Sequence, residues 1–512
     1  MATIPAVVSR SSYFFDGSTA AFVFFAPIKF RMLNRFAGLL ILLVLSQFSF
    51  AQSIVSFKTS KPYAVLSFTE AASGAQQHSR TFSAFIESNI PSTDTVFRRL
   101  SDDFREINLQ YTFKREEFPA NRRQHRSTYD LIVIAAVKSV NLAEFRSNTI
   151  GILPNSNHTE LFRILQAAEK YYDRFIWNTS KPSIDQQVLA LKKYSTEANE
   201  LFSLFRHFYG SSWSDDIPFN VAIFPIPGKT GNTSATPHAN SLCVGVLTEK
   251  QDAAGVMGVV VHEMCHVLYD EQISSFQYQL DSAFTSSPSP FKTVAYNFFD
   301  EALATALGNG WAYQRISGKA DTSSWYNNEY INGFAHALYP LVSQYLTSRR
   351  TIDTAFIGQA IRIFGETYPR SLSDYSIMLN NMYLYADAEK VAERQALRNV
   401  LGKYFQSSRY SFSSPILHEY SIRSLKESRP AQLIIVDRDH DSTLAVLKGL
   451  FPEIDGFLKG HNDAAYVLSF YDQQKRPVIL ISVTNKEELD KALSLLKQKK
   501  YLDPAVPYMP IK

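Results

Sequence analysis

Three residues in the segment VVVHEMCHVLYDEQ have the types and the spacing of a metal site that carries its own base. On a helix, residues four apart lie on one face, so His262 and His266 could bind one metal ion together. Glu263 follows His262 and could take a proton from a water molecule held by that ion. This is the chemistry of the pattern H-E-x-x-H. The surrounding residues are apolar on nearly every side, which predicts a buried helix.

Burial makes a metal ion the favoured interpretation of these three residues, because polar side chains left unpaired in a core cost free energy. The alternative is a pair of core histidines bonded to the backbone, with Glu263 in a salt bridge. A catalytic zinc needs a third protein ligand and one open position. In the segment NFFDEALATALGNGW, Glu301 enters a run of small and apolar residues and is the preferred third ligand; Asp300 is the competitor. Asp270 either orients a ligand or lies at the surface.

The order H-E-M-C-H followed by D-E-A-L-A resembles the gluzincin group of zinc metallopeptidases. The resemblance implies that His262, His266 and Glu301 bind Zn²⁺, with Glu263 as the general base that activates water to hydrolyse a peptide or protein substrate. It also implies a zincin-like fold, in which a small sheet packs on the first zinc helix and a mostly helical half carries the glutamate. A protease-like scaffold that binds peptides or cell-surface polymers and cleaves poorly is the alternative.

The segment EYINGFAHALYPLV, residues 329–342, resembles the Y-x-x-G segment of gluzincin aminopeptidases. The resemblance implies that Tyr330 donates a hydrogen bond to the oxyanion and that Gly333 is the matching glycine. His336 and Tyr339 are alternative donors, and a core or surface role for Tyr330 stays open. The chain lacks a G-x-M-E-N segment, so the resemblance assigns a group and no close family.

The elements that must position these residues follow from the hydrophobic pattern. Residues 219–227 and 241–247 are expected to be strands, joined by a Gly/Ser/Thr-rich loop at 228–240 whose His238 is interpreted as a loop residue. We expect 241–247 to be an edge strand, to which an extended peptide could be added. Thr248 and Gln251 are a possible capping box for the histidine helix.

The predicted fold class is α+β, with three parts after the amino terminus. Residues 54–150 form a mixed region in which 63–70 and 129–140 are interpreted as strands or buried segments. The zincin-like catalytic domain spans 151–410. Residues 430–500 form a small α/β module with the order strand, helix, strand, strand, helix.

The amino terminus predicts export. Residues 32–51 combine a basic start, an apolar stretch and a small-residue end, which is the pattern of a secretory signal peptide. Residues 1–31 are interpreted as an upstream extension. The apolar stretch is short for a membrane span, so no stable span is expected after cleavage of the signal; an uncleaved anchor is the alternative.

The composition gives little further information about function. The 512 residues carry 52 Lys and Arg against 48 Asp and Glu, a small net charge that gives no reason to expect a nucleic-acid partner. The basic cluster at 121–126 is interpreted as a solvated loop. Cys243 and Cys265 are either free buried thiols or a pair. The sequence does not indicate the oligomeric state.

Overall fold

The computed structural model describes residues 54–74, 79–119, 122–249, 252–428 and 430–511. The predicted signal peptide at 32–51 and the upstream extension at 1–31 lie outside these residues, and so does Gln251. The described residues form a mixed α and β structure, which confirms the α+β class. None of the helices in this part of the chain is both long and apolar enough to cross a membrane.

The secondary structure comprises twelve named strands and a larger number of helices in the described residues. The strands are β1 (Val55–Thr59), β2 (Thr112–Lys114), β3 (His125–Ser127), β4 (Phe219–Ile226), β5 (Ala235–His238), β6 (Ser241–Leu247), β7 (Asn381–Ala386), β8 (Arg409–Ser413), β9 (Ala431–Val436), β10 (Tyr466–Tyr471), β11 (Pro477–Ser482) and β12 (Tyr508–Pro510). The helices of the first half are α1 (Lys61–Ser73), α2 (Arg80–Asn89), α3 (Thr95–Arg105), α4 (Thr128–Lys138), α5 (Leu142–Asn148), α6 (Asn155–Tyr172), α7 (Asn178–Lys192), α8 (Ser195–Tyr209) and α9 (Ala253–Asp270). The helices of the second half are α10 (Ser274–Thr285), α11 (Lys292–Thr305), α12 (Tyr313–Ser317), α13 (Glu329–Thr347), α14 (Thr354–Thr367), α15 (Tyr375–Met378), α16 (Val391–Tyr404), α17 (Glu419–Glu427), α18 (His440–Leu450), α19 (Glu453–Leu458) and α20 (Lys486–Lys499). Two π-helical segments, Asp173–Trp177 and Ala306–Ala312, and one 3-10 turn, Ser371–Ser373, complete the set.

A four-stranded sheet in the order β1-β4-β6-β5 packs on the histidine helix α9. β1, β4 and β6 are parallel, and β5 runs antiparallel to β6. Successive residues of β4 face opposite sides: Val221 and Ile223 join the core that contains α9, whereas Ala222 and Phe224 join the core built from α1, α4 and α6. The sheet is therefore covered on both faces, which explains the unbroken apolar character of β4 and β6.

Residues 241–247 were predicted to be an edge strand of this sheet, but another strand lies outside them. Residues 241–247 form β6, and β5 pairs with it on the side away from β4. The expectation that 241–247 is an edge strand is therefore wrong, because four residues of the predicted loop form β5 and occupy that edge.

Two apolar segments near the amino terminus are buried helices, so of the two expected alternatives, strands or buried segments, the second is confirmed. Residues 63–70 lie in α1, which begins after Ser60, whose side chain accepts a hydrogen bond from the Tyr63 backbone. Residues 129–140 lie mostly in α4, where Ser127 and Asp130 form a capping box. Both helices are buried on most sides, so their apolar runs lack the one-sided periodicity that would separate a helix from a strand.

The histidine helix α9 begins later than the predicted capping box. Asp252 is its N-cap, and its carboxylate accepts hydrogen bonds from the backbone of Ala254 and Gly255. Thr248 instead accepts a hydrogen bond from the Gly228 backbone and closes the preceding loop. An Asp at the N-cap also interacts favourably with the helix dipole.

The C-terminal sheet has six strands in the order β12-β10-β11-β9-β7-β8. Four of these strands, β11, β9, β7 and β8, are parallel to one another. β10 pairs antiparallel with β11, and β12 pairs antiparallel with β10. Helices α16 and α20 pack on one face, and α17, α18 and α19 pack on the other. The sheet includes β7 and β8, which precede residue 430, so it extends beyond the predicted module.

Candidate metal centre

The three predicted ligands meet at one point between α9 and α11. The Nε2 atoms of His262 and His266 are 3.0 Å apart. The carboxylate of Glu301 places Oε2 3.6 Å from Nε2 of His262 and Oε1 3.6 Å from Nε2 of His266. One donor atom from each residue lies within 4.8 Å of the other two, so this group could hold a metal ion.

The far side of each imidazole has a hydrogen-bond partner that orients the ring. Nδ1 of His262 lies 3.2 Å from Oδ1 of Asn309, and Nδ1 of His266 lies 3.1 Å from Oδ2 of Asp300. Because these oxygens accept hydrogen bonds, we assign the ring hydrogens to Nδ1 and a lone pair to each Nε2. Imidazoles that bind metals are usually held in this way.

The donor set fits a cation. Two nitrogen lone pairs and a carboxylate face one another at close range, and such an arrangement is repulsive unless a positive charge lies between them. In addition, Oε2 of Glu301 is buried and has no hydrogen-bond partner among the described residues. A metal ion would satisfy all three groups at once.

Electrostatic shifts show that the cluster favours positive charge at His266 and negative charge at Glu301, and a bound metal ion would replace the proton on His266. Burial would raise the pKa of Glu301, but His266 and His262 outweigh it and hold that pKa well below its usual range. Burial would lower the pKa of His266, but the carboxylates of Asp300 and Glu301 outweigh it and raise that pKa. Glu301 is therefore ionised, which is the form that binds metals.

A close contact between helices brings Asn309 to His262. Residues Ala306–Ala312 form a π-helical segment that continues α11 and packs against α9. A Cβ atom on Gly308 would lie 2.6 Å from both the Gly258 carbonyl oxygen and the His262 backbone nitrogen. Only glycine fits at position 308 without a shift of one of these helices.

Glu263, the expected base, is buried next to the two histidines. It lies on α9 beside His262 and is 6 % exposed. Burial raises the pKa of its carboxyl, and the neighbouring histidines His262 and His266 act in the opposite direction. A carboxylate with a raised pKa accepts a proton more readily than one in water.

The predicted oxyanion donor Tyr330 points elsewhere. Its hydroxyl donates to Oδ2 of Asp374 at 2.7 Å, and Gly333 lies against the hydroxyl of Tyr368, where a Cβ atom would clash. The Y-x-x-G segment thus joins α13 to the turn before the C-terminal sheet. The alternative donors are also engaged: His336 stacks on Trp325 with ring centroids 3.7 Å apart, and the Tyr339 hydroxyl donates to Gln314.

Tyr326, which the sequence did not single out, is the tyrosine at the cluster. Its ring stacks on that of His262, with centroids 6.1 Å apart and planes 21° apart. Burial raises the pKa of its hydroxyl, and the Glu301 carboxylate adds to this shift. Tyr326 lies in a loop without hydrophobic periodicity, and the helix that it contacts is far away in sequence. The residues around Tyr326 therefore do not indicate this contact.

In its described part, the basic cluster at 121–126 is only partly solvated, with Arg123 and His125 exposed and Arg122 buried. Arg122 is 5 % exposed, and its guanidinium lies 3.5 Å from the centre of the Tyr269 ring and donates to the Tyr269 carbonyl oxygen. Asp270 pairs with Arg126 at 3.6 Å. Asp270 therefore anchors this segment to the end of α9, and the role of orienting His266 belongs to Asp300.

A cavity of about 320 Å³ opens beside the cluster. His266, Asp300 and Glu301 line one side, and Pro237 of β5 contributes to another. The remaining lining comes from the N-terminal region and the C-terminal sheet: Arg122, Arg123, Tyr269, Asp270, Tyr296, Asn297, Asn380, Asn381, Ser408 and Arg409. A larger cavity of about 640 Å³ lies beside α16 and includes none of the three ligands. The smaller cavity borders two of the three candidate ligands, His266 and Glu301.

The structure also shows where the two cysteines and His238 lie. Cys243 on β6 and Cys265 on α9 are both buried free thiols, and burial raises the pKa of each. The predicted loop residue His238 ends β5, and its Nδ1 lies 2.8 Å from Oδ1 of Asp130. Neither cysteine belongs to the histidine cluster.

The chain was compared with models of protein families, with curated proteins and with solved structures. None of the three comparisons finds a match.

Proposed function

We propose that the protein is an exported zinc metallopeptidase with a zincin-like catalytic region. The observation that carries this proposal is the convergence of the Nε2 atoms of His262 and His266, 3.0 Å apart, opposite the Glu301 carboxylate. Two imidazoles and one carboxylate are a ligand set of catalytic zinc sites, which keep a fourth position open. The order of a sheet, a histidine helix and a glutamate helix supports the zincin-like assignment.

The residues around the ligands have the roles that peptide hydrolysis requires. A bound zinc ion would polarise the substrate carbonyl group and lower the pKa of water. Glu263 takes the proton from the attacking water and transfers it to the leaving amine. Asn309 and Asp300 hold the two imidazoles in place, which keeps their Nε2 atoms aimed at the site.

Tyr326 is the proposed donor to the oxyanion, in place of Tyr330. Its hydroxyl lies near Glu301, whereas that of Tyr330 is bonded to Asp374. A fixed donor that meets the negative charge of the transition state can contribute a large part of the rate.

The proposed substrate is an extended peptide that lies along β5. This strand is one of the two edge strands of the sheet, and Pro237 within it lines the cavity beside His266. Addition of a peptide strand to a sheet edge supplies backbone hydrogen bonds without a demand on sequence. Export is part of the proposal and depends on the signal pattern at residues 32–51.

The test uses purified residues 53–512 with zinc measured by mass spectrometry and cleavage measured on a peptide library. We expect about one zinc ion per chain, its loss in Glu301→Ala, and its retention without cleavage in Glu263→Gln. Glu366→Gln, at an exposed pair with Arg362, is the matched control. Absence of zinc after reconstitution would refute the proposal, and zinc without cleavage would favour a peptide-binding scaffold.

A further inference from the structure

The C-terminal sheet contributes residues to the cavity that borders His266 and Glu301. Asn380, Asn381, Ser408 and Arg409 line this cavity together with His266 and Glu301. They come from the beginning of two parallel neighbouring strands, where Asn381 of β7 is paired with Arg409 of β8. The predicted module at 430–500 does not include these residues, which belong to or adjoin β7 and β8 of its sheet and line the cavity beside the proposed reaction site.

Hydrogen bonds fix these residues. The carbonyl oxygen of Asn380 accepts from the backbone nitrogens of Ser408 and Arg409 at 3.0 and 3.1 Å. The side-chain amide of Asn380 donates to Oγ of Ser408 and to the carbonyl oxygen of Gln406. Asn328, the buried N-cap of α13, donates to the side chain of Gln406 at 2.8 Å. The backbone that carries Arg409 is therefore tied to the helix that begins next to Tyr326.

Arg409 is the cation of this cavity that has no carboxylate partner. Within the described part of the chain, it forms no ion pair, and its side chain is exposed. The other two arginines of the lining are engaged: Arg122 stacks on Tyr269, and Arg123 lies 3.4 Å from Asp130 and 4.0 Å from Asp270. A free guanidinium beside a proposed catalytic site is suited to bind an anion.

We propose that Arg409 binds a carboxylate group of the substrate, so that the protein prefers peptides with a negative charge close to the scissile bond. This inference rests on the proposed function. A guanidinium pairs with a carboxylate through two parallel hydrogen bonds, which fixes orientation as well as charge. A cavity of about 320 Å³ holds a short part of a peptide, so the bound carboxylate is near the bond that is cleaved. It is either the C-terminal carboxylate or that of an Asp or Glu side chain.

The experiment compares peptides that differ in one carboxylate, with the zinc-loaded protein. A neutral peptide with an amidated C-terminus is the reference, one partner has a free C-terminus, and another has Glu in place of Gln beside the scissile bond. We expect kcat/KM to be about 10- to 100-fold higher for one anionic peptide, mainly through KM. In Arg409→Gln this ratio falls to near one, and Arg409→Lys restores it in part. Arg362→Gln is the control, because Arg362 lies on α14 in an exposed ion pair.

The outcomes separate the inference from the proposed function. Equal cleavage of neutral and anionic peptides, or a ratio that Arg409→Gln leaves unchanged, overturns the inference and keeps the peptidase. If the zinc-loaded parent cleaves no peptide, the proposed function fails, and calorimetric binding of the same peptides decides the inference. Tighter binding of an anionic peptide that is lost in Arg409→Gln then supports a carboxylate site, and equal binding overturns it. Circular dichroism of each variant verifies its fold.

Discussion

The carboxylate of Asp300 binds the far side of the His266 ring, with Oδ2 3.1 Å from Nδ1, while the other ring nitrogen faces Glu301. Asp300 and Glu301 are adjacent in sequence and competed as third ligand, but they meet His266 at opposite nitrogens. The geometry thus gives Glu301 the position of a ligand and Asp300 that of a residue that orients one.

Substitution of the two carboxylates should separate these roles. In Glu301→Gln we expect zinc affinity to fall by more than about 100-fold, because a charged ligand is lost, and in Asp300→Asn by about 10- to 100-fold. Competition with a chromogenic chelator measures both constants. A larger loss in Asp300→Asn than in Glu301→Gln would reverse the assignment.

Gly308→Ala should destabilise the protein and weaken zinc binding. The new Cβ atom would lie 2.6 Å from the backbone nitrogen of His262. We expect a loss of about 1–3 kcal/mol in the free energy of unfolding, measured with urea. Gly358→Ala is the matched control: a Cβ atom there meets nothing within 4 Å, and the helix should gain about 0.5–1 kcal/mol. Equal stabilities of the two variants would contradict the close contact.

Substitution of Tyr326 should lower kcat, whereas substitution of Tyr330 should lower the stability of the fold. Tyr326→Phe keeps the ring on His262 and removes the proposed oxyanion donor, so we expect kcat to fall by about 100-fold or more with zinc retained. Tyr330→Phe leaves Asp374 without its donor and should cost about 1–3 kcal/mol of stability. Steady-state kinetics and urea unfolding on the same samples measure the two effects. A large loss of kcat in folded Tyr330→Phe alone would return the role to Tyr330.

Glu70 should make stability depend on pH. Burial raises the pKa of this carboxyl to about 8, although a hydrogen bond from Tyr129 acts in the opposite direction. In the unfolded chain the pKa of Glu70 is about 4.3. Between the unfolded and the folded pKa, the folded state binds more protons than the unfolded state, so stability falls as pH rises. The expected slope is up to about 1.4 kcal/mol per pH unit.

Glu70→Gln removes this titration and should flatten the profile. Urea unfolding at several pH values from about 5 to 8 measures the difference between variant and parent, which should grow as pH rises. Glu366→Gln, an exposed substitution, should leave the slope of the parent unchanged. Parallel profiles for Glu70→Gln and the parent would show that Glu70 has its ordinary pKa.

The cluster of candidate metal ligands could be predicted because its signals in the sequence are local. His262, Glu263 and His266 share two turns of a helix, and Glu301 stands out as a charge within a run of apolar and small residues. The strands β4 and β6 were predicted for a related reason, since their apolar runs are short and bounded by turn residues.

The features that were missed depend on contacts between distant parts of the chain. Tyr326 and Arg409 reach the site from a loop and from a short strand, neither of which has a periodicity that marks an inward side chain. β7 and β8 lie within a mostly helical stretch and are short, so their pairing is decided by the sheet they join. The segments that form α1 and α4 could be predicted as buried but not as helical, because burial on most sides removes the one-sided pattern.

The pairing of β1 with β4 has a consequence for biosynthesis. Val55 pairs with Phe219, about 160 residues further along the chain, so the first strand has no neighbour until β4 has left the ribosome. The backbone groups of β1 therefore stay without a partner strand while about a third of the protein is being made. Under the proposed export, this delay keeps the first sheet unformed while a transport channel that takes unfolded polypeptide receives the N-terminal region.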